Sequence, residues 1–432
     1  MGALPARCDV VIVGAGLAGL SAAVQLADRG AEVAVLEAGQ TVGGRVSTDR
    51  VDGFQLDRGF QVLSTAYPKV RQLLDMPALR LRTFRRALTL HHAGRRTTLH
   101  DPRRDLRALP QMLRAPIGSL TAKAALARYA AEVSALPATT LLGRPDTPAD
   151  EHWRARGLSA QTIEQVLKPF FTGVTLDPAG ATSGRFVDLM LRMLVRGESA
   201  LPAAGMAAIP QQLAQRLPTG ALHLSTPVTD VTAKSVTTEA GTLHTRAVVV
   251  ATDATAAAAL VPGLTAPPWK GVTTWYHAAH DPVSTDPTLI VDTDDSPVDN
   301  TVVVSAAAPE YAPAGRALIA TSLVHRAGLS AEAVTEAQVR RRLAVLHRTS
   351  TEGWEHLATY DIRHALPAMT APHPFHRPDH IAGIHICGDH RDTSSIQGAL
   401  FSGARAADAV SARLGLPTEC LSACSPRTAA PR

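Results

Sequence analysis

Asp9-Val-Val-Ile-Val-Gly-Ala-Gly-Leu-Ala-Gly19, continued by Val33-Ala-Val-Leu-Glu37 and Gly43-Gly-Arg45, is the stretch from which the fold of this chain is read. It reads as a buried strand, a glycine turn, a helix and a second strand that ends in an acid. Gly14 permits the tight turn after the strand, Gly16 lets main chain approach a pyrophosphate, and Gly19 lets the helix pack on the strand. The helix N-terminus, at Leu17 and Ala18, offers unpaired N–H groups to an anion. Glu37, with Ala38 beside it, falls about 20 residues past the turn, where a carboxylate accepts hydrogen bonds from ribose hydroxyls. Leu17, Leu20, Val24 and Ala27 recur at helical spacing until Asp28-Arg29-Gly30 closes the helix. The order predicts a Rossmann-type α/β domain built to hold the ADP half of a dinucleotide.

Two further segments narrow the choice of dinucleotide. Gly43-Gly44-Arg45 brings a second backbone approach and a guanidinium to the same pyrophosphate. Far downstream, Gly383-Ile-His-Ile-Cys-Gly-Asp389 is followed by Ser394-Ser-Ile-Gln-Gly-Ala-Leu-Phe-Ser-Gly-Ala-Arg-Ala-Ala407. This reads as a strand, a Gly-Asp turn and a helix opened by a serine cap. The helix would bury Ile396, Leu400, Gly403, Ala407, Val410 and Leu414 on one face. Its early small residues, Gly398, Ala399, Ser402 and Gly403, leave room for a flat ring or another backbone.

Together these pieces resemble the flavin-dependent amine oxidase superfamily, in its phytoene desaturase and protoporphyrinogen oxidase-like branch. The resemblance rests on Gly14, Gly16 and Gly19, Glu37, Gly43-Gly44-Arg45, Leu56-Asp-Arg-Gly59, Leu201-Pro-Ala-Ala-Gly-Met206, Ala247-Val-Val-Val-Ala-Thr252 and Gly388-Asp389 with its helix. Leu56-Asp-Arg-Gly-Phe-Gln-Val-Leu63 and Asp389-His-Arg-Asp392 look most like a bacterial and plant subgroup that brings no substrate with it. The resemblance implies non-covalent FAD, since no cysteine or histidine makes a flavin linkage obvious. Gly388 and Asp389 would hold its ribityl-phosphate portion. Ile396, Gln397 and Gly398, opening the last helix, would face the pyrimidine edge, where a positive helix end stabilises charge on reduced flavin. Gly59 and Phe60 belong to the same set, and Val228, after Thr226-Pro227, falls where the family holds adenine by backbone groups.

The resemblance also divides the chain. Residues 1–67, 203–262 and 380–416 would form a discontinuous FAD-binding domain. Residues 68–202 and 263–379 would form an inserted α+β substrate domain, the first part mainly helical. The second part has strand-like runs at 271–279, 301–306 and 317–324 and a helix near 331–347. Residues 417–432, rich in Ser, Ala, Pro and Arg, read as a disordered tail. With 432 residues and 45% hydrophobic composition, two domains with ample cores are affordable.

Four cysteines, at 8, 387, 420 and 424, are too scattered for a disulfide framework, and none has zinc-ligand spacing with histidines, so no metal site is expected. The default reading is a reduced cytoplasmic protein. Val10 to Val24 is short for a membrane span and carries structurally explained glycines, so neither a span nor an export signal is read there. Between Arg80 and Arg114 ten arginines stand against Asp101 and Asp105, with Leu106, Leu109, Met112, Leu113, Ile117 and Leu120 among them. This cluster is a peripheral membrane contact, a site for an acidic substrate, or a solvated face of an arginine-rich protein. Without interleaved aromatic platforms it does not suggest nucleic acid.

Flavin dehydrogenation needs a C–H bond directed at N5, a dry pocket and often a base. Many members of the superfamily place a lysine near N5. The corresponding run, Gly271-Val-Thr-Thr-Trp-Tyr-His277, has threonine there, with Lys270 just outside it. This departure favours desaturation, isomerisation or reduction of a hydrophobic, polyene or terpenoid-like molecule, with oxygen or a quinone as electron acceptor. An amine or amino-acid oxidase is the alternative, and a non-catalytic prenyl-binding relative, similar to Rab GDP-dissociation inhibitors, is the alternative of another class. Tyr276 and His277 are candidate pocket residues, of which alternation allows one to face the flavin. His277 is a proton acceptor or a hydrogen-bonded structural histidine. Phe170-Phe171-Thr-Gly173 is a cavity edge or a pair of core aromatics. Arg391, like Arg58, holds a substrate anion or makes an ion pair, for Arg391 with Asp389 or Asp392.

Overall fold

The computed structural model describes residues 7–101, 107, 109–280, 283–326 and 334–417. The tail beyond 417, Cys420, Cys424, Arg103, Arg104, Asp105 and Leu106 lie outside the described residues. The chain is a mixed α/β protein built on two sheets.

The first sheet is organised around Arg7–Val13. Val10 to Val13 are buried on both faces, as a run of β-branched residues in a parallel sheet requires. It pairs in parallel with Val33–Leu36 on one side and with Gly241–Val250 on the other. Leu222–His223 extends one edge in parallel, and Ile384–Ile386 joins the C-terminal end of Gly241–Val250 in parallel. Val228–Val231 and Ser235–Thr238 add antiparallel strands at the other end of that long strand. Helices Leu17–Asp28 and Ile396–Leu414 pack together over one face of the sheet. Gly403 makes that contact close, because a Cβ there would lie 2.2 Å from the Ala18 carbonyl oxygen.

The second sheet has seven strands in the order Glu355–Pro367, Trp269–Ala279, Ala317–Val324, Asn300–Val303, Leu289–Asp292, Ala87–His92 and Arg95–His100. The first insertion is therefore less purely helical than its sequence suggests. Its last two strands form a hairpin whose turn residues, Ala93 and Gly94, both have positive φ, a primed turn that matches strand twist. The run expected at 301–306 ends as a strand at Val303 and turns into a short helix, Val304–Ala307. The helix expected near 331 runs from Glu336 to His347, fixed there by a capping box between Thr335 and Gln338. It covers one face of the sheet through Val339, Leu343 and Leu346.

A helical layer covers the other side. Leu120–Ala135 packs on Gly184–Arg196, with Ala149–Ala155 and Ala138–Leu142 beside them. Buried Asp188 ties this layer together. It accepts hydrogen bonds from Tyr129 Oη (2.6 Å) and His152 Nε2 (2.9 Å), and Arg144 and Arg156 lie within 3.4 Å. No helix of the described residues is long and apolar enough to cross a membrane.

Candidate functional site

One cavity of about 1940 Å³ runs from the glycine turns, between the two sheets, to the helical layer. That exceeds the usual range for one small ligand, ~300–1,000 Å³, so cofactor and substrate fit in it together.

Its first end is made of main chain. Gly14 has φ +104°, and a Cβ on Gly19 would lie 2.0 Å from the Gly14 carbonyl oxygen, so Gly19 serves helix–strand contact and does not line the cavity. A Cβ on Gly16 meets nothing within 4 Å, leaving the cavity side of the turn open. Gly16 bridges to Gly43, whose N–H donates to Ala15 O at 2.9 Å, so the two glycine turns are stacked. The Leu17–Asp28 helix begins with no side-chain cap and no acid in its first turn. Its first N–H groups, at Leu17 and Ala18, thus face the cavity as an anion site. Glu37 Oε2 accepts from Ala15 N–H (2.7 Å) and Oε1 from Gly39 N–H (2.8 Å). These bonds hold the carboxylate at the cavity wall beside Ala38, across from Val228.

Further in, Gly388 has φ +152° and its N–H donates to Ser402 Oγ. Asp389 is bonded through both oxygens to Arg45, at 2.8 and 2.6 Å, and Arg45 also donates to Ala365 O. Arg45 sits over the Trp269 ring, 5.4 Å from its centroid. Two residues expected to hold separate parts of the cofactor therefore pair with each other, because the buried Asp389 carboxylate requires a counter-charge and the half-buried Arg45 guanidinium supplies it. Gly44 and Gly59 also line the wall, as does Phe60, whose ring stands edge-on to Phe84. Ser395 caps the last helix through Gly398 N–H at 3.0 Å. Ile396 and Ala399 face the cavity. Gln397 does not: its Oε1 accepts from Lys69 N–H. Gly398 is turned toward its own loop, where a Cβ would lie 1.9 Å from Thr393 O.

The three catalytic candidates, Tyr276, His277 and Arg391, lie off the cavity. Tyr276 is buried and donates to the Asp57 carbonyl oxygen at 2.8 Å. His277 points to the opposite face, toward Trp354 and Glu336, where burial pushes its pKa down to about 4. Neither lines the wall, since the Tyr276 side is filled by the core between strand and cofactor domain. Arg391 is also buried away from it and donates to Pro378 O. Its expected ion pair is not formed: Asp389 is taken by Arg45, and Asp392 lies by His376 and Arg405. Lys270 is paired with Asp177 at 2.8 Å. Phe170, Phe171 and Gly173 do line the cavity.

Sequence reading missed the keystone of the loop between these regions. Asp57 is fully buried and accepts from Thr48 Oγ1, Met206 N–H and Tyr311 Oη. Burial pushes its pKa up to about 6, against the pull of those bonds. The far end of the cavity was also only half legible. Leu126, Ala127, Ala130 and Ala131 on one helix face Leu191, Leu194 and Val195 on another, an apolar arm that opens at Leu109, Leu113 and Leu120. Those three leucines are 43%, 50% and 64% exposed, which is unusual for large apolar side chains grouped at one mouth. Three of the arginines before them are in ion pairs: Arg82 with Glu310, Arg85 with Asp286, Arg86 with Asp101 and Glu198. Among the described residues one group has metal-ligand character, His91, Asp292 and Asp294, and the Arg342 guanidinium already bonds both acids.

With this geometry the comparisons with known proteins agree. The chain matches the family model for flavin containing amine oxidoreductases over residues 17–411, and it belongs to that family. A carotenoid 3,4-desaturase of Haloarcula japonica is 55% identical over 51 residues, 12% of this chain and 10% of the desaturase. An L-amino-acid oxidase of Crotalus adamanteus is 48% identical over 75 residues, 17% of this chain and 14% of the oxidase. A coproporphyrinogen III oxidase of Propionibacterium freudenreichii is 41% identical over 69 residues, 16% of this chain and 13% of that enzyme. Each of these matches spans no more than 14% of the relative's own length.

Likeness of fold extends much further. Putrescine oxidase bound to putrescine superimposes with TM-score 0.71 at 20% identity, covering 94% of this chain and 99% of that one. Reduced UDP-galactopyranose mutase gives TM-score 0.67 at 16% identity, covering 95% and 96%.

Proposed function

We propose that this chain is an FAD-dependent oxidoreductase acting on an elongated hydrophobic molecule, polyene or terpenoid-like, by hydride transfer at flavin N5. The observation that carries this reading is the apolar arm of the cavity and the charges it lacks. Among the described lining residues the one lysine, Lys123, sits at the outer mouth and donates to Leu113 O. The four lining arginines, Arg45, Arg58, Arg85 and Arg86, all have acid partners. A substrate amine thus finds no lysine deep in the cavity, and a carboxylate finds no uncommitted arginine. These features count against the amine and amino-acid oxidase alternative.

The bound flavin would supply the hydride chemistry. The chain's own part is to hold it and to exclude water. Gly14, Gly16 and the start of the Leu17–Asp28 helix would take the pyrophosphate, with Gly43 and Gly44 opposite. Glu37 would take the ribose, Val228 the adenine, and Gly388, Asp389 and the Ile396 end of the last helix the ribityl and ring portions. The open space beside Gly16 and the uncapped helix start fit that cofactor. Such a set has no use in a non-catalytic prenyl-binding protein.

Entry from a membrane surface completes the reading. From Leu106 to Ala131 the sequence has Arg107, Arg114, Lys123 and Arg128 and no acid. Exposed leucines with cations around the mouth suit an anionic bilayer from which a greasy substrate slides into the arm.

Purified protein tests the whole reading: a visible spectrum, photoreduction under argon, then air. A flavin that stays reduced for minutes supports a quinone- or polyene-linked dehydrogenase or isomerase. Reoxidation within seconds favours an oxidase. Absence of bound or reconstitutable flavin sinks the enzyme reading. Colour left in an acid-precipitated pellet would overturn the non-covalent assignment.

A further inference from the structure

We propose that Thr274, Ser322 and Asn300 form a docking row for a neutral oxygen function, a hydroxyl or a carbonyl, on an otherwise apolar substrate. The inference rests on the substrate reading above and refines it.

The three residues lie side by side on adjacent strands of the second sheet. Thr274 is directly opposite Ser322, and Ser322 is directly opposite Asn300. Directly paired residues project to the same face of a sheet. Ser322 and Asn300 line the cavity, as do Val272, two residues before Thr274, and Val291, directly opposite Asn300. Ser322 and Asn300 therefore face the cavity, and Thr274, which does not itself line the wall, lies beside Ser322 on the same face of the sheet.

All three side chains are buried, and the Thr274 hydroxyl has no hydrogen-bond partner. No described residue bonds the Ser322 hydroxyl or the Asn300 amide. The other face of the same strands behaves differently. There Thr301 bonds the Ala320 carbonyl, Thr321 and His347, and Thr273 bonds His325 and Asp361. Buried polar groups in folded proteins are normally satisfied, and exceptions call for a ligand or water. Helix Lys168–Thr175 keeps the amide's place clear, since a Cβ on Gly173 would lie 2.8 Å from Asn300 Nδ2.

The chemistry of the row sets the ligand class. Asn300 offers two donors and an acceptor, and each hydroxyl can do either. None carries charge, so an ammonium or carboxylate would be buried there without a counter-ion. A hydroxyl or carbonyl at one point of a hydrocarbon skeleton matches both the row and the apolar walls.

The test uses the FAD-loaded protein and two probes of the same isoprenoid skeleton, farnesol and the hydrocarbon farnesene, with binding read from the flavin spectrum or fluorescence. Wild type should prefer farnesol by about tenfold. Asn300→Leu should erase that preference by weakening farnesol binding relative to farnesene, and Ser322→Ala, a smaller change that preserves packing, should reduce it. Equal affinity of wild type for the two probes, or a preference that survives both substitutions, overturns the docking row and leaves the hydrophobic-substrate reading standing. Failure of wild type to bind either probe defeats that reading and the row with it.

Discussion

At the Gly14–Gly44 end of the cavity the wall is main chain: glycine turns, a helix start and one carboxylate held by two N–H groups. At the Leu109–Ala131 end it is side chain, with leucines and alanines from helices that meet through packing, the Asp188 network and Arg192, which donates to Val133 O and Ser134 O. The first kind of wall specifies one ligand, because peptide groups at fixed positions recognise a pyrophosphate wherever it occurs. The second specifies little beyond length and greasiness, and it can be reshaped by swapping methyl groups. One chain thus joins a fixed half to an adaptable half, and each half should fail differently when disturbed.

The largest effect is expected at Gly19. A Val there drives its Cβ into the Gly14 carbonyl, so Gly19→Val should cost more than about 4 kcal/mol or prevent folding, seen as loss of the cooperative thermal transition. Gly16→Ala has open space around its Cβ. It should leave the Tm of the apo-protein unchanged and lower FAD retention on a desalting column. If both variants fold and keep flavin equally, the main-chain account of this end is wrong.

On the other side, Asp188→Asn should destabilise by about 3 kcal/mol, because Arg144, Arg156 and His152 lose a buried counter-charge. Burial opposes the Asp188 charge, but the His152, Tyr129 and Arg156 contacts still hold its pKa below the usual carboxylate range. Proteolysis should then begin in the helical layer while the flavin spectrum persists; simultaneous loss of both would show that the halves are not separable.

A third effect is acid sensitivity. Burial pushes His347, His373, His385 and His390 down to about 4, so they are neutral in the folded chain. A depressed histidine stabilises the fold above its unfolded value near 6.5, and that contribution is lost as pH falls toward 4. Asp57, raised to about 6, acts in the opposite sense and loses stability as pH rises from 3.8 to 6. His277 is depressed in the same way. These five histidines outweigh Asp57 with Asp299 and Asp392, whose carboxyls burial also raises. Tm should therefore drop from pH 6.5 to 4, and His347→Gln should remove about 1–3 kcal/mol of that drop. A Tm curve for His347→Gln parallel to wild type would refute the assignment.

The smallest effect on stability is expected at the mouth. Leu109→Ser, Leu113→Ser and Leu120→Ser together should change folding free energy by less than about 0.5 kcal/mol per site, since all three are exposed. The same triple variant should bind phosphatidylserine vesicles at least about tenfold more weakly. Unchanged vesicle binding would remove membrane contact from the proposed function.

What could be read from the sequence follows the same division. The glycine turns, Glu37, Gly388-Asp389 and the capped last helix were legible because each depends on local backbone geometry, written in neighbouring residues. The Arg45–Asp389 pair, the Asp57 keystone and the Thr274–Ser322–Asn300 row were not, because their partners lie far apart in the chain. Tyr276 and His277 were drawn toward the flavin by their place on the strand; alternation separated them, and packing then claimed both. The hairpin at Ala87–His100 was overlooked because its turn, Ala93-Gly94, sits among arginines and histidines that mask the alternation.

The close seat of Gly403 on Ala18 has a consequence for the order of events in synthesis. Arg7–Val13 is made well before its neighbour Gly241–Val250, and the helix that covers it arrives only with residues 396–414. Until then the nascent chain holds an unfinished sheet and a half-built cradle. On the proposed cofactor assignment, flavin capture waits for the Ile396–Leu414 helix, and a ribosome stalled before residue 396 would carry a chain unable to retain the cofactor.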